Sequence, residues 1–244
     1  MINQIKSEWI KVRSVRSTIV MFILAVVFSA LFASLGQIGS DVDPPLENAF
    51  IGILISQVFF LVLGIQIIGQ EYRFKTIRPT FTATPKRLRV IYAKLIVLVC
   101  TVSVTTFVLM IIAILCAQLT LQVQNLSLDL GSSDTLQILV ATFASSVLYA
   151  VFGFGIGAIL KNPIAAIVMS IIYLLVVESI LVGISTLLEW DYYKWLPFQA
   201  LSGMIDFGEG TNELLSPLPA FIYVCALFGL IVATGSILIN KRDA

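Results

Sequence analysis

The chain has 244 residues, of which 59% are hydrophobic and only 12% charged, with a net charge of +1 and no histidine. An average soluble domain carries about 25% charged residues, so a water-soluble fold of this length could not hide so much apolar surface. The missing histidines exclude imidazole acid/base chemistry and the commonest metal ligand, and the net charge by itself says nothing about nucleic acid or acidic partners; no nucleic-acid partner is expected.

In chain order, residues 2–16 read as an amphipathic surface helix, with Ile2, Ile5, Trp9 and Val12 at spacings of three and four and Lys6, Lys11 and Arg13 pointing elsewhere. The apolar run that follows is too long for the ~7–15-residue core of a signal peptide, so it is expected to be a retained first span. Crossing ~30 Å of hydrocarbon takes about 20 apolar residues, and six stretches qualify: 18–38, 50–69, 92–118, 137–160, 164–188 and 218–239. Continuous apolar runs exclude a β-barrel, whose strands alternate. The expected fold is all-α: a polytopic bundle of six transmembrane helices forming a single membrane domain over residues 1–244.

Between the second and third spans, residues 70–91 carry Pro79 and Pro85, which interrupt any single helix and leave a short helix flanked by turns. Residues 189–217 contain the aromatic cluster Trp190, Tyr192, Tyr193 and Trp195, suited to the headgroup level. The apolar stretch after it is too short to span, so one or two interfacial or re-entrant helices are expected there. Cys100, Cys116 and Cys225 are widely spaced within apolar runs and read as packed hydrophobes.

Orientation follows from the distribution of charge. Of the 15 Lys and Arg residues, all but Lys194 fall at the N-terminus, in 70–94, in the turn at Lys161 or at the C-terminus. Ten of the 14 acids lie in the opposite loops: Asp41, Asp43, Glu47, Asp129, Asp134, Glu189, Asp191, Asp206, Glu209 and Glu213. By the positive-inside rule both termini are expected in the cytoplasm. Lys94, near the start of the third span, is expected to snorkel to the interface.

Catalytic and cofactor motifs are lacking. No GxxxxGK[ST] loop occurs, so ATP is not bound by a P-loop here, and neither a zinc motif nor a nucleophile–base pair is present; no enzymatic activity is expected of the chain. Glu178 is the ionisable residue deep in a span, a costly placement in lipid. It is either a translocation-path or gating residue or a neutral, hydrogen-bonded acid. Gly153 and Gly157, four apart, form a small-xxx-small pair suited to close helix packing. The scarcity of intramembrane charge and the lack of an inverted repeat disfavour a secondary carrier.

Three segments carry a family resemblance: IKSEWIKVRSVRST entering the first span, EYRFKTIRPTFTATPKRLRVIYAK after the second, and GIGAILKNPIAAI between the fourth and fifth. With the six-span layout and the long last outer segment, the chain resembles compact bacterial permease subunits of ABC exporters of the type-2 permease superfamily. That resemblance implies a half-transporter of the bacterial cytoplasmic membrane, paired with a second permease (a homodimer most simply, a heterodimer alternatively) and docked to two ABC-type ATPase subunits that bind ATP and Mg. It further implies that the loop after the second span is the coupling helix, with Glu71, Tyr72, Arg73, Thr76, Arg78, Thr80, Thr84, Pro85 and Arg87 docking the ATPase. The surface helix would correspond to the connecting helix. Lys75 departs from the pattern, since relatives often have Gly there. A membrane module without transport, an immunity or sensory factor, is the alternative expectation.

Overall fold

The computed structural model describes residues 2–38, 46–74, 87–124, 126, 133–204 and 216–242, and among these there is no β-strand. Helix α1 (Ile2–Ser14) is followed by α2 (Arg16–Leu35), α3 (Leu46–Arg73), α4 (Arg87–Val123) and α5 (Ser133–Leu160). Helix α6 (Pro163–Ile172) runs through a π-helical turn (Tyr173–Val177) into α7 (Glu178–Leu188). A 3-10 turn (Asp191–Trp195), the short α8 (Pro197–Gly203) and α9 (Pro217–Arg242) complete the chain.

Six helices among the described residues are long and apolar enough to cross a membrane: Arg16–Leu35, Asn48–Arg73, Leu88–Val123, Thr135–Leu160, Pro163–Leu188 and Pro217–Ile239. Their outer faces carry exposed apolar stripes at helical spacing, such as Ile19, Ile23, Val27 and Leu31 on α2 and Val104, Phe107, Ile111, Leu115 and Leu119 on α4. Water would not tolerate such stripes, and lipid covers them at no cost. The protein is a multi-pass membrane protein.

Helices α3 and α5 form the centre of the bundle, with α2 and α9 on their flanks. Their close approach depends on glycine. A methyl group at Gly64 would meet the Ala150 carbonyl, and one at Gly153 would meet that of Leu61, so backbones touch where larger residues would hold the helices apart. Gly157 lies one turn further along, against Ile65.

Two ends of the bundle can be told apart by contact. At one, the turn between α5 and α6 packs Pro163 beside Gly69 of α3. That turn is encoded locally: Lys161 adopts φ 55°, the Asn162 side chain accepts from the backbone N–H of Ile164 and Ala165, and Pro163 opens the helix. Its basic residues give this end its name here. At the other, acidic end, the Gln124 side chain donates to the Gln37 carbonyl, joining α4 to the turn after α2.

Candidate functional site

The basic end holds a cluster of four charges. Lys94, on the first turns of α4, is buried, and its ammonium lies 2.6 Å from Glu8 Oε2 and 2.8 Å from Glu71 Oε1. Lys11 reaches the same two carboxylates, at 2.7 Å from Glu8 Oε1 and 3.0 Å from Glu71 Oε1. Two acids and two bases make the cluster neutral. It fastens α1 simultaneously to the last turn of α3 and the first turns of α4. Beside it, Ser17 and Gln70 both donate to Gln66 Oε1, at 2.9 and 3.0 Å, tying the start of α2 to α3.

The electrostatics follow from this geometry. Burial alone would raise the Glu8 carboxyl, but the Lys94 charge and the hydrogen bonds from Lys11 and Lys94 outweigh it and hold Glu8 below its ordinary range. Burial alone would lower the Lys11 ammonium, and the bonds and charges of Glu8 and Glu71 raise it instead. Both groups are thus held in their charged forms.

Lys94 does not snorkel to the interface as its position suggested. Two carboxylates come to it, and an ammonium so paired has no need of water. Residues 2–14 are helical, but the face this helix buries carries Glu8 and Val12, while Ile2, Trp9 and Ile10 stay exposed. Those exposed apolar residues are the ones a lipid surface would cover.

Of the residues expected to dock an ATPase, Glu71, Tyr72 and Arg73 form the end of α3. The Glu71 carboxylate is buried within the charge cluster. The Tyr72 ring lies under the Lys161 ammonium, 5.3 Å from its centroid, which links the α5–α6 turn to the same junction. Arg73 is exposed, with its guanidinium 5.6 Å from the Phe74 ring centre. Thr76, Arg78, Thr80, Thr84 and Pro85, with Lys75, lie outside the described residues. Arg87 begins α4.

Glu178 sits at the opposite end in a different setting. One carboxylate oxygen accepts the backbone N–H groups of Phe198 and Gln199, at 2.9 and 2.7 Å. These are orphan donors in the first turn of α8, so Glu178 anchors that helix from the fifth span. The π-helical turn puts it in position. The buried stripe of α6 is Pro163, Ala166 and Ser170, and regular helix would bring residue 177 onto it seven residues after Ser170. The added residue of the π turn delivers Glu178 there instead, and Val177 is exposed. Phe198, beside this bond, packs between Tyr149 and Phe152 of α5 with ring centres 5.0 and 5.2 Å away.

Sequence reasoning missed Glu8 as a participant. A signal existed: Glu8, Glu71 and Asp243 are the acids on the side that holds nearly all of the cations, and a lysine within an apolar run needs a counter-charge. Among the described residues no group of His, Cys, Asp and Glu is arranged to hold a metal ion. Comparison of the chain with protein-family models and with curated proteins gives no match.

Proposed function

We propose that the chain is the membrane-spanning permease subunit of an ATP-driven exporter, which supplies the translocation path and takes its energy from separate ATPase subunits. The observation that carries this reading is the buried Glu8–Lys94–Glu71 cluster at the root of segment 75–86. That segment joins α3 to α4, so a push delivered to it enters two spans at once. A rigid junction is required for the push to move helices rather than bend a loop. Removing one partner from a buried ion pair costs about 3–5 kcal/mol, so the cluster holds α1, α3 and α4 together against thermal motion. Lys161 over Tyr72 extends the same rigid block to the α5–α6 turn.

On this reading Glu71 braces the coupling segment from inside the junction, while Arg73 and residues 75–87 meet the ATPase. Two copies of the chain face each other, and closure of the ATPase pair alternates access to an apolar route between them. Charged side chains within the spans are few, which favours energy from a partner over an ion gradient.

The test is purification from native membranes in mild detergent, followed by reconstitution into vesicles. A Walker-type ATPase is expected to co-purify, and Arg78→Ala is expected to uncouple ATP hydrolysis from transport without impairing insertion. Recovery of the protein with no ATPase, or ATP-independent flux driven by a proton or sodium gradient, would overturn the proposal.

A further inference from the structure

A cavity of about 400 Å³ opens towards the acidic end between α3, α5 and the short α8. It is within the ~300–1,000 Å³ range of small-molecule sites. Asn48, Gln57, Thr142, Tyr149 and Ser202 contribute polar groups to an otherwise apolar wall that includes Leu54 and Leu201, and among the described residues no charged side chain lines it.

The polar groups are fixed by a chain of hydrogen bonds. Ser145 and Ser146 both donate their hydroxyl hydrogens to the Thr142 carbonyl, at 3.0 and 2.8 Å. With those hydrogens committed, the serines can only accept from Gln57, and the Gln57 amide nitrogen lies 2.7 Å from Ser145 Oγ. The orientation of this buried amide is therefore set, and its carbonyl oxygen remains to accept from something else. Thr142 is fully buried, and its hydroxyl has no hydrogen-bond partner. A hydroxyl left without a partner is destabilising, and a ligand group that reaches it from this cavity would satisfy it. The wall formed by α8 is held in place by Glu178 through its bonds to Phe198 and Gln199.

We infer that this cavity is a binding site for an uncharged amphiphile, whose hydroxyl or amide meets Gln57 and Thr142 while its apolar body lies along Leu54 and Leu201. Among the described lining residues a charged ligand would find no counter-charge to replace its lost hydration. The site requires only this fold; it rests on the transporter reading in one respect, that the occupant is then cargo.

The experiment uses the full chain in phosphatidylcholine nanodiscs without any ATPase, so its outcome is independent of whether transport occurs. The probe is a long-chain aliphatic alcohol carrying a photoactivatable diazirine, with labelled residues identified by peptide mass spectrometry. Labelling is expected to concentrate at residues 48–57, 138–149 and 201–202. Decanol is expected to compete, and decyl sulfate is not. Leu54→Trp, which fills the cavity from a half-buried position, should cut labelling by about tenfold, equivalent to ten times weaker binding. Ser202→Trp at the exposed rim should act in the same direction without disturbing the core. Labelling spread evenly over lipid-facing residues such as Phe107, or unchanged in both Trp variants, overturns the site. Equal competition by decyl sulfate overturns the uncharged class.

Discussion

The molecule buries carboxylates at both ends and neutralises them by opposite means. At the basic end, Glu8 and Glu71 are met by lysine side chains from α1 and α4. At the acidic end, Glu178 is met by two backbone N–H groups, and among the described residues no cation pairs with it. Backbone donors are fixed by the helix that carries them and do not titrate. Lysine partners are mobile, titratable and replaceable. The junction of α1, α3 and α4 is built from side-chain charges, and the wall formed by α8 is built on helix geometry.

Replacing Lys94 should break this contrast most severely. Lys94→Met leaves two buried carboxylates facing each other with only the half-exposed Lys11 between them, and about 3–5 kcal/mol of stability is expected to be lost. Thermal unfolding in a fixed detergent measures the loss, and faster proteolysis of α1 locates it. The comparison sharpens in the triple variant Glu8→Leu, Glu71→Met, Lys94→Met, because apolar replacement of a whole buried ion cluster is often neutral or stabilising. If the proposed coupling to an ATPase exists, stability recovered while coupling stays lost would separate that proposed role of the cluster from its structural one.

Glu178 should respond differently to the same treatment. Glu178→Ala strands the N–H groups of Phe198 and Gln199 and is expected to cost about 1.5–3 kcal/mol, the range for hydrogen bonds to charged groups. Glu178→Gln keeps a carbonyl oxygen in place and should lose roughly half of that, since neutral acceptors are about half as strong. Protease cleavage within 189–204 reports detachment of α8. A Gln variant as damaged as the Ala variant would mean that the charge, rather than the acceptor geometry, holds the helix.

Acidification probes the basic end through Glu8. Its carboxyl is held below the ordinary value of 4.5, so its contribution is fully present above that value. It is lost as pH falls through the lowered folded-state value. The Lys11 ammonium is raised above 10.5, so its contribution is complete below that value and is lost as pH rises through the raised one. Between these limits α1 should stay docked. Trp9 fluorescence, read in a Trp190→Phe, Trp195→Phe background, should change cooperatively below pH 4.5, and a Glu8→Gln variant should lack that transition.

Most of the helical architecture was legible because the bilayer imposes a length rule that composition obeys. The predicted spans and the observed helices differ mainly at their ends: α3 runs on to Arg73 and α4 starts at Arg87 and continues to Val123. Polar residues at the ends of spans do not stop a helix that packs against neighbours. The turn around Lys161 was readable as the gap between two apolar runs, and the short α8 from an apolar run too brief to cross. The site was less legible. Lys94 read as a snorkelling residue because its partners are 86 and 23 positions away, and no local pattern announces a pairing across that distance. Glu178 could not be assigned because a one-residue π insertion decides which face it occupies, and hydrophobic periodicity does not register one extra residue.

The smallest expected effect discriminates within the cluster itself. Lys11 touches the same two carboxylates as Lys94, yet its side chain is 46% exposed against 5% for Lys94. Water already screens an ion so placed, and after its removal Lys94 still bonds both acids, leaving one net negative charge that water screens from the Lys11 side. Lys11→Gln should therefore cost only about 0–1 kcal/mol, as exposed pairs do, and should lower the acid resistance of α1 because Glu8 loses a donor. A double-mutant cycle between Lys11 and Glu71 in the same detergent measures the pair directly. A coupling as large as that between Lys94 and Glu71 would move the centre of the junction from α4 to α1, making the surface helix the member that holds the spans rather than the one that is held.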